Sequence, residues 1–349
     1  MGNVNTRLWT IHQTLPADLR NQRIQEAAKA LQDGKTIAFP TETVYGLGGS
    51  AWKPDAIDRI FSAKGRPNDN PLILHIGSKN QLDELVLQVP KLAETLMDAF
   101  WPGPLTLILP KRPEVPERVT GGLNTVAVRL PGHKLARELL QASGVPVAAP
   151  SANRSGRPSP TTAAHVEKDL SGRVDGIVDG GATGFGLEST VVDATGTTPV
   201  ILRPGGITSE AIQKVCGSVE VAEKEDNEAH PQSPGMKYTH YAPDGDLYII
   251  EGSTAFFQKN ITSAQKAGRQ VAALADDKEL SELKPDTAVS LGAAADTNEA
   301  ARRLYAALRE ADEAEAEIIF ARSYASDGIG GALMNRLEKA AGGKYLREG

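Results

Sequence analysis

Between Gln22 and Cys216 short apolar runs alternate with amphipathic stretches, a pattern that few folds accept. The runs KTIAFP (35–40), PLILHI (71–76), LTLILP (105–110), TVAVRLP (125–131), VPVAAPS (145–151), DGIVDGG (175–181), STVVDAT (189–195) and PVILRPG (199–205) have the length and composition of strands. DAIDRIFSAKG (55–65) sets Ile57, Ile60 and Phe61 on one helical face and stops at Gly65. HKLARELLQASG (133–144), TTAAHVEKDLSG (161–172) and TSEAIQKVCG (208–217) are further helices ending in glycine, and the helical stretch 80–100 is interrupted by Pro90. Strands interleaved with helices imply a mixed α/β domain, here of about 200 residues.

The pattern lapses over residues 218–245, which are charged and then rich in Pro, Gly and Tyr, as a linker would be. Beyond them LYIIEG, QVAALAD, TAVSLG and EIIFAR alternate with helices, notably 297–314 and 329–343. A β-α-β-α series of this kind predicts a smaller, Rossmann-like doubly wound sheet. The expected organisation is a catalytic domain over 1–217, a linker over 218–245 and an accessory α/β domain over 246–349. The accessory part has no G-x-G-x-x-G, so dinucleotide binding is not indicated.

Charge is unevenly spread. Residues 1–215 carry 23 Lys and Arg against 21 Asp and Glu, and residues 216–349 carry 15 against 23. The first part can hold an anion locally, whereas the acidic second part argues against a broad nucleic-acid surface. No run approaches the roughly 18–20 apolar residues of a membrane helix. The chain starts without the apolar segment of a secretion signal, and Cys216 is its one cysteine. A cytoplasmic location without membrane contact is expected. One cysteine and scattered histidines match no zinc site, there is no Walker A sequence, and no Ser-His-Asp order stands out.

Four polar clusters lie at strand ends or turns, where α/β sheets place ligands. PTETVYGLGG (40–49) holds Thr41 and Thr43 among glycines; alone it reads as a strand-to-helix turn with Tyr45 in the core. Lys64 and Arg66 share one turn ahead of Asn68, Asp69 and Asn70. Such a pair suits a polyphosphate, since Arg offers a fork and Lys a mobile charge. His75 follows in the next strand and by itself reads as a core histidine. Arg129 closes an apolar strand, where a structural salt bridge and carboxylate binding fit equally well. APSANRSGRPSPTT (149–162) combines hydroxyls with Arg154 and Arg157 on a bent loop leading into a helix, an anion cradle or a solvated turn. GLESTVVD (186–193), LRPGG (202–206) and the linker's SPGMKYTHYAP (233–243), with Lys237, Tyr238, His240 and Tyr241, complete the set.

Together these clusters resemble the YrdC-like family of L-threonylcarbamoyladenylate synthases, in its long two-domain form. The family's marker, K-x-R followed at a distance by S-x-N, stands here as Lys64-Gly65-Arg66 and Ser151-Ala152-Asn153. FPTETVYGLG, RPNDNPL, WPGPLTLIL, PSANRSGRPSPT, ESTVVD and RPGGI match as well, over roughly residues 20–217. The resemblance implies a YrdC-like twisted mixed sheet. It implies that L-threonine, bicarbonate or carbon dioxide, and ATP with Mg2+ give threonylcarbamoyl-AMP and pyrophosphate. A separate transferase would then modify the tRNA adenosine next to the anticodon. It also implies site residues: Thr43, His75, Arg129, Ala149 and Ser189 around threonine. Lys64, Arg66, Asn70, Thr125, Ser151, Asn153, Ser159, Arg203 and Tyr241 would hold ATP, with Lys64 and Arg66 at the reacting phosphates and no protein metal ligands. Rival readings are an RNA-binding module, a carbamoyl-adenylate domain of the hydrogenase-maturation type, which needs cysteines absent here, and a nucleotide-sensing regulator.

Overall fold

The computed structural model describes residues 4–12, 14–67, 70–222, 241–294 and 296–349. Asn68 and Asp69, and with them Lys237, Tyr238 and His240 of the linker, lie outside the described residues. The chain folds as two compact units. The first comprises the described residues up to Ser155, of Pro160–Gly184 and from Glu188 to 222; the second comprises Gly156–Ser159, Phe185–Leu187 and 241–349.

In chain order the first unit holds β1 (Arg7–Thr10), α1 (Ala17–Gln32), β2 (Ile37–Pro40), β3 (Tyr45–Ser50), α2 (Pro54–Lys64) and β4 (Ile73–His75). A 3-10 turn and then α3 (Lys91–Phe100) follow, with β5 (Leu105–Pro110), α4 (Glu117–Thr120), β6 (Thr125–Arg129), α5 (Lys134–Ser143) and β7 (Val147–Ala148). Last come α6 (Ala163–Leu170), β8 (Gly176–Asp179), β9 (Thr190–Asp193), β10 (Val200–Arg203), α7 (Ser209–Cys216) and β11 (Glu220–Val221). The strands join in one mixed sheet of order β1-β8-β2-β3-β7-β4-β6-β5-β9-β10-β11.

Strand alternation divides the core. Ile37, Phe39, Val147 and Val178 point to one face, where α1 and α5 cover them with Ile24, Leu31, Leu135 and Leu139. Ala38, Ala148 and Ile177 point to the other, among Ile57, Ile60, Leu96 and Val166. Glycines end the helices where expected: Gly65, Gly144 and Gly217 take φ of 65°, 65° and 81°. Pro90 precedes α3 as its cap, so the stretch 80–100 is a turn and a helix.

The structure corrects the first cluster. Tyr45–Ser50 is a strand antiparallel to β2, and the turn before it makes a hairpin. Its glycines suit close packing: a Cβ on Gly48 would lie 2.7 Å from Phe39 and 2.8 Å from Val147.

The second unit is a parallel five-stranded sheet of β12 (Asp246–Glu251), β13 (Val271–Ala275), β14 (Thr287–Ser290), β15 (Ile318–Arg322) and β16 (Tyr345–Arg347), in the order β14-β13-β15-β12-β16. The helices are α8 (Thr254–Lys266), α9 (Asp277–Leu280), α10 (Thr297–Glu313) and α11 (Ile329–Ala340). The expected doubly wound sheet is present, with β16 as an unforeseen edge. Among the described residues no helix is long and apolar enough to cross a membrane.

Candidate active site

Four neighbouring strands of the first unit carry a row of polar side chains on one sheet face. Ile73, Ala127, Ile108 and Val191 form an apolar cluster on that face. Two residues along from each, alternation brings His75, Arg129, Thr106 and Ser189 to the same side. Register aligns them: His75 pairs with Arg129, and Thr106 pairs with Val191. Each of the four is at most 4% exposed.

The row is tied together by hydrogen bonds. Arg129 donates to Thr43 Oγ1 at 3.0 Å, to Glu42 Oε1 at 2.6 Å and to the Gly103 carbonyl at 3.3 Å. Thr43 Oγ1 also lies 2.8 Å from Thr41 Oγ1, whose hydroxyl donates to the Val44 carbonyl and fixes the hairpin turn. Ser189 Oγ lies 2.8 Å from Thr106 Oγ1 and accepts from Arg203 at 3.1 Å. A bulge between Ile201 and Arg203 sets Arg203 opposite Val191, and so brings its guanidinium to Ser189. Arg203, expected beside the nucleotide, is therefore held on Ser189, a residue of the expected threonine end.

Glu42 was not singled out in the sequence. Burial alone would raise its carboxyl pKa, but the Arg129 charge and the hydrogen bonds around it prevail and hold it below the usual carboxylate range. Both readings of Arg129 left open by the sequence meet here. It has the structural ion pair, and its three hydrogen bonds leave two of its five N–H groups unused among the described residues.

Burial, with the Arg129 charge added, pushes the His75 ring down to about 3. His75 Nδ1 sits 3.3 Å from the Ile73 carbonyl, which can only accept, so Nδ1 carries the proton and Nε2 keeps a lone pair. The unfolded chain takes up a proton below about pH 6.5 that the fold refuses, so stability contributed by neutral His75 is complete above that pH. It is withdrawn toward about pH 3, at about 1.4 kcal/mol per pH unit. Urea midpoints between pH 4 and 7 should therefore fall less steeply in His75→Gln than in the wild type; parallel slopes would show that the folded protein protonates His75.

A second group gathers at the opposite end of β4 and β6. Lys64 ends α2, and its Nζ donates to the Ser151 and Asn153 carbonyls at 2.5 and 2.6 Å. The Ser155 amide donates back to the Lys64 carbonyl at 2.8 Å. K-x-R and S-x-N, far apart in sequence, are thereby clamped together. Ser151 Oγ donates to Asn153 Oδ1 at 2.5 Å, and Arg66 reaches the Pro71 carbonyl at 3.4 Å. Asn70 is 1% exposed, and neither Nδ2 nor Oδ1 finds a partner among the described residues. An orphaned amide of this kind costs about 1–3 kcal/mol unless a bound molecule or water answers it. Extending the parallel register back from Ile73 and Ala127 sets Thr125 beside Pro71, close to Asn70. Ala149 lies between the two groups, its amide bonded to the Ile73 carbonyl at 3.0 Å.

Ser159 and Tyr241 belong to the second unit. Ser159 is fully buried. Tyr241, at φ 69°, packs 5.2 Å from the Tyr305 ring and under Arg336 at 5.8 Å. Among the described residues no group of three His, Cys, Asp or Glu could hold a metal ion.

Comparison with known proteins gives the family of the chain. Residues 29–205 match the Sua5/YciO/YrdC family described as "Telomere recombination", and residues 207–342 match the family described as "Threonylcarbamoyl-AMP synthase, C-terminal domain". The Bacillus subtilis threonylcarbamoyl-AMP synthase is 49% identical over 346 residues, covering 99% of this chain and 100% of that protein. That of Pyrococcus abyssi is 45% identical over 340 residues, covering 93% of this chain and 96% of the relative. The crystal structure of P. abyssi Sua5 complexed with L-threonine superposes with a TM-score of 0.91 at 42% identity, covering 99% and 100% of the two chains. The chain belongs to the threonylcarbamoyl-AMP synthase family, enzymes of the nucleotidyltransferase type, in its two-domain form.

Proposed function

We propose that this enzyme joins L-threonine, bicarbonate or carbon dioxide, and ATP into threonylcarbamoyl-AMP with release of pyrophosphate. The product would feed a separate transferase that modifies the tRNA adenosine next to the anticodon. One observation carries the reading: buried polar groups stand at both ends of the β4–β6 pair. His75 and Arg129 mark one end, and the orphaned Asn70, with the half-buried Thr125 beside it, the other. Four residue steps separate Thr125 from Arg129, about 13 Å, room for an amino acid laid against a phosphate chain.

At the first end the spare N–H groups of Arg129 take the threonine carboxylate, with Thr43 and Ser189 as hydroxyl partners. The His75 Nε2 lone pair accepts from the amino acid. At the second end Lys64, Arg66, Asn70, Thr125, Ser151 and Asn153 line the nucleotide. We place Ala149 alongside the amino acid, with Arg203 beside it through its bonds to Ser189. Magnesium arrives on the triphosphate, held through phosphate oxygens. The neutral threonine amine attacks carbon dioxide and gives up one N–H proton to solvent, the carbamate oxygen attacks the α-phosphorus, and pyrophosphate leaves in line. The protein contributes position and charge neutralisation.

The test is pyrophosphate release from magnesium-ATP with threonine and bicarbonate omitted in turn. Release should require both; release indifferent to threonine would reject the proposal. In the same assay Arg66→Ala should lose roughly 1.5–3 kcal/mol for each charge-assisted phosphate contact removed. It should show this as poorer use of limiting ATP, and normal turnover there would remove Arg66 from the nucleotide site.

A further inference from the structure

Lys64 is 3% exposed, yet no carboxylate pairs with it among the described residues. Its Nζ meets two backbone carbonyls, one from each end of Ser151-Ala152-Asn153. Two carbonyls satisfy the two N–H groups of a neutral amine completely. They leave an ammonium with a third N–H that neither carbonyl answers and a buried charge with no carboxylate directly paired to it among the described residues. The charged groups acting on Lys64 come from two directions. Arg66, on the turn behind it, opposes a second positive charge, and Asp169 of α6 favours one. The Asp169 carboxylate accepts from the Arg154 amide. Burial is the largest influence, Arg66 adds to it, and together they hold the Lys64 amine well below the ordinary lysine range.

We propose that Lys64 stands as a neutral amine in the nucleotide-free enzyme and takes up a proton when the triphosphate binds. The step balances simply. The Nζ lone pair takes one proton from solvent, –NH2 becomes –NH3+, and the new N–H donates to a phosphate oxygen while the two carbonyl bonds remain. The energetic reason is the sign of the ligand: magnesium-ATP brings net negative charge into a pocket where burial and Arg66 had made an ammonium costly. The site is then spared an unpaired cation when empty and gains a full one when occupied. Linkage makes nucleotide affinity fall with rising pH, about tenfold per unit between the free and bound pKa of Lys64. This inference rests on the nucleotide assignment made above.

The experiment is calorimetric titration of the full-length enzyme with magnesium-ATP, without threonine, at pH 8 in three buffers of different ionisation enthalpy. The slope of observed heat against buffer enthalpy counts protons. Uptake of roughly one proton per nucleotide is expected in the wild type. None is expected in Lys64→Arg, whose guanidinium is charged throughout. Nucleotide binding without proton uptake in the wild type overturns this inference alone. Absence of nucleotide binding overturns the nucleotide assignment with it. A second readout holds even if the variant does not fold. With 13C-labelled lysine, one Cε resonance of the wild type should lie at the neutral-amine position at pH 8 and move to the ammonium position on adding magnesium-ATP. Lysine resonances all at the ammonium position before nucleotide is added would show that Lys64 is charged from the start.

Discussion

Arg129→Ala is expected to raise the threonine concentration for half-maximal pyrophosphate release roughly ten- to a hundredfold. This corresponds to one lost charge-assisted pairing of about 1.5–3 kcal/mol. The ATP requirement should stay nearly unchanged, because Asn70 and Thr125 stand at the far end of the strand pair. Stability should fall as well. The side chains of Arg129 and Glu42 are 4% and 14% exposed, so removing the guanidinium strands a buried carboxylate, at about 3–5 kcal/mol. The two effects can be separated. Adding Glu42→Gln to the alanine variant removes the stranded charge and should recover much of the urea midpoint without recovering threonine use. Unchanged threonine affinity by calorimetry in Arg129→Ala would reject its role at the carboxylate.

The second large effect is expected from a single methyl group. A Cβ on Gly205 would lie 2.3 Å from the Thr190 amide nitrogen, 2.4 Å from the Ser189 carbonyl carbon and 2.5 Å from the Glu188 carbonyl oxygen. All three are backbone atoms and cannot rotate away. Gly205→Ala should therefore push the start of β9 off the sheet, at a cost of about 3 kcal/mol. The displacement falls on Ser189, so activity should drop even below the melting transition. Gly196→Ala is the control: its Cβ would meet nothing closer than the Thr198 carbonyl at 4.0 Å, and a change within about 0.5 kcal/mol is expected. Equal melting temperatures for the two variants would show that β9 tolerates the shift.

Much of this architecture was legible in the residues. Leu105–Pro110 and Thr125–Arg129 appear where apolar runs announced them, because strands buried on both faces are apolar throughout. Gly65, Gly144 and Gly217 mark their helix ends because the left-handed turn there favours glycine. Tyr45–Ser50 was missed because its glycines argue against a strand, and only the packing of Phe39 and Val147 against Gly48 explains them. The strand order was out of reach, since pairings such as Arg7 with Gly176 join residues far apart in the chain. Arg129 stood out as a candidate because it closes an otherwise apolar strand. Thr106 escaped because LTLILP reads as a continuous apolar run, although its two-residue alternation with Ile108 carried the signal. Glu42 could have been sought from Arg129 itself, since a buried guanidinium needs an anion.

The row from His75 through Arg129 and Thr106 to Ser189 is built on backbone register. Each side chain emerges from a strand or its edge, and neighbours on the next strand limit its rotamers. Little conformational freedom remains there to be lost on binding. The other end is made of turns, Gly65–Pro67 and Ser151–Ser155, whose geometry rests on side-chain clamps such as that of Lys64. On the proposed reading the amino acid meets a template set by strand register, and the nucleotide a pocket set by side-chain clamps. Selectivity for the amino acid then comes from fixed shape, and the nucleotide end is the one that loss of a single clamping side chain would loosen.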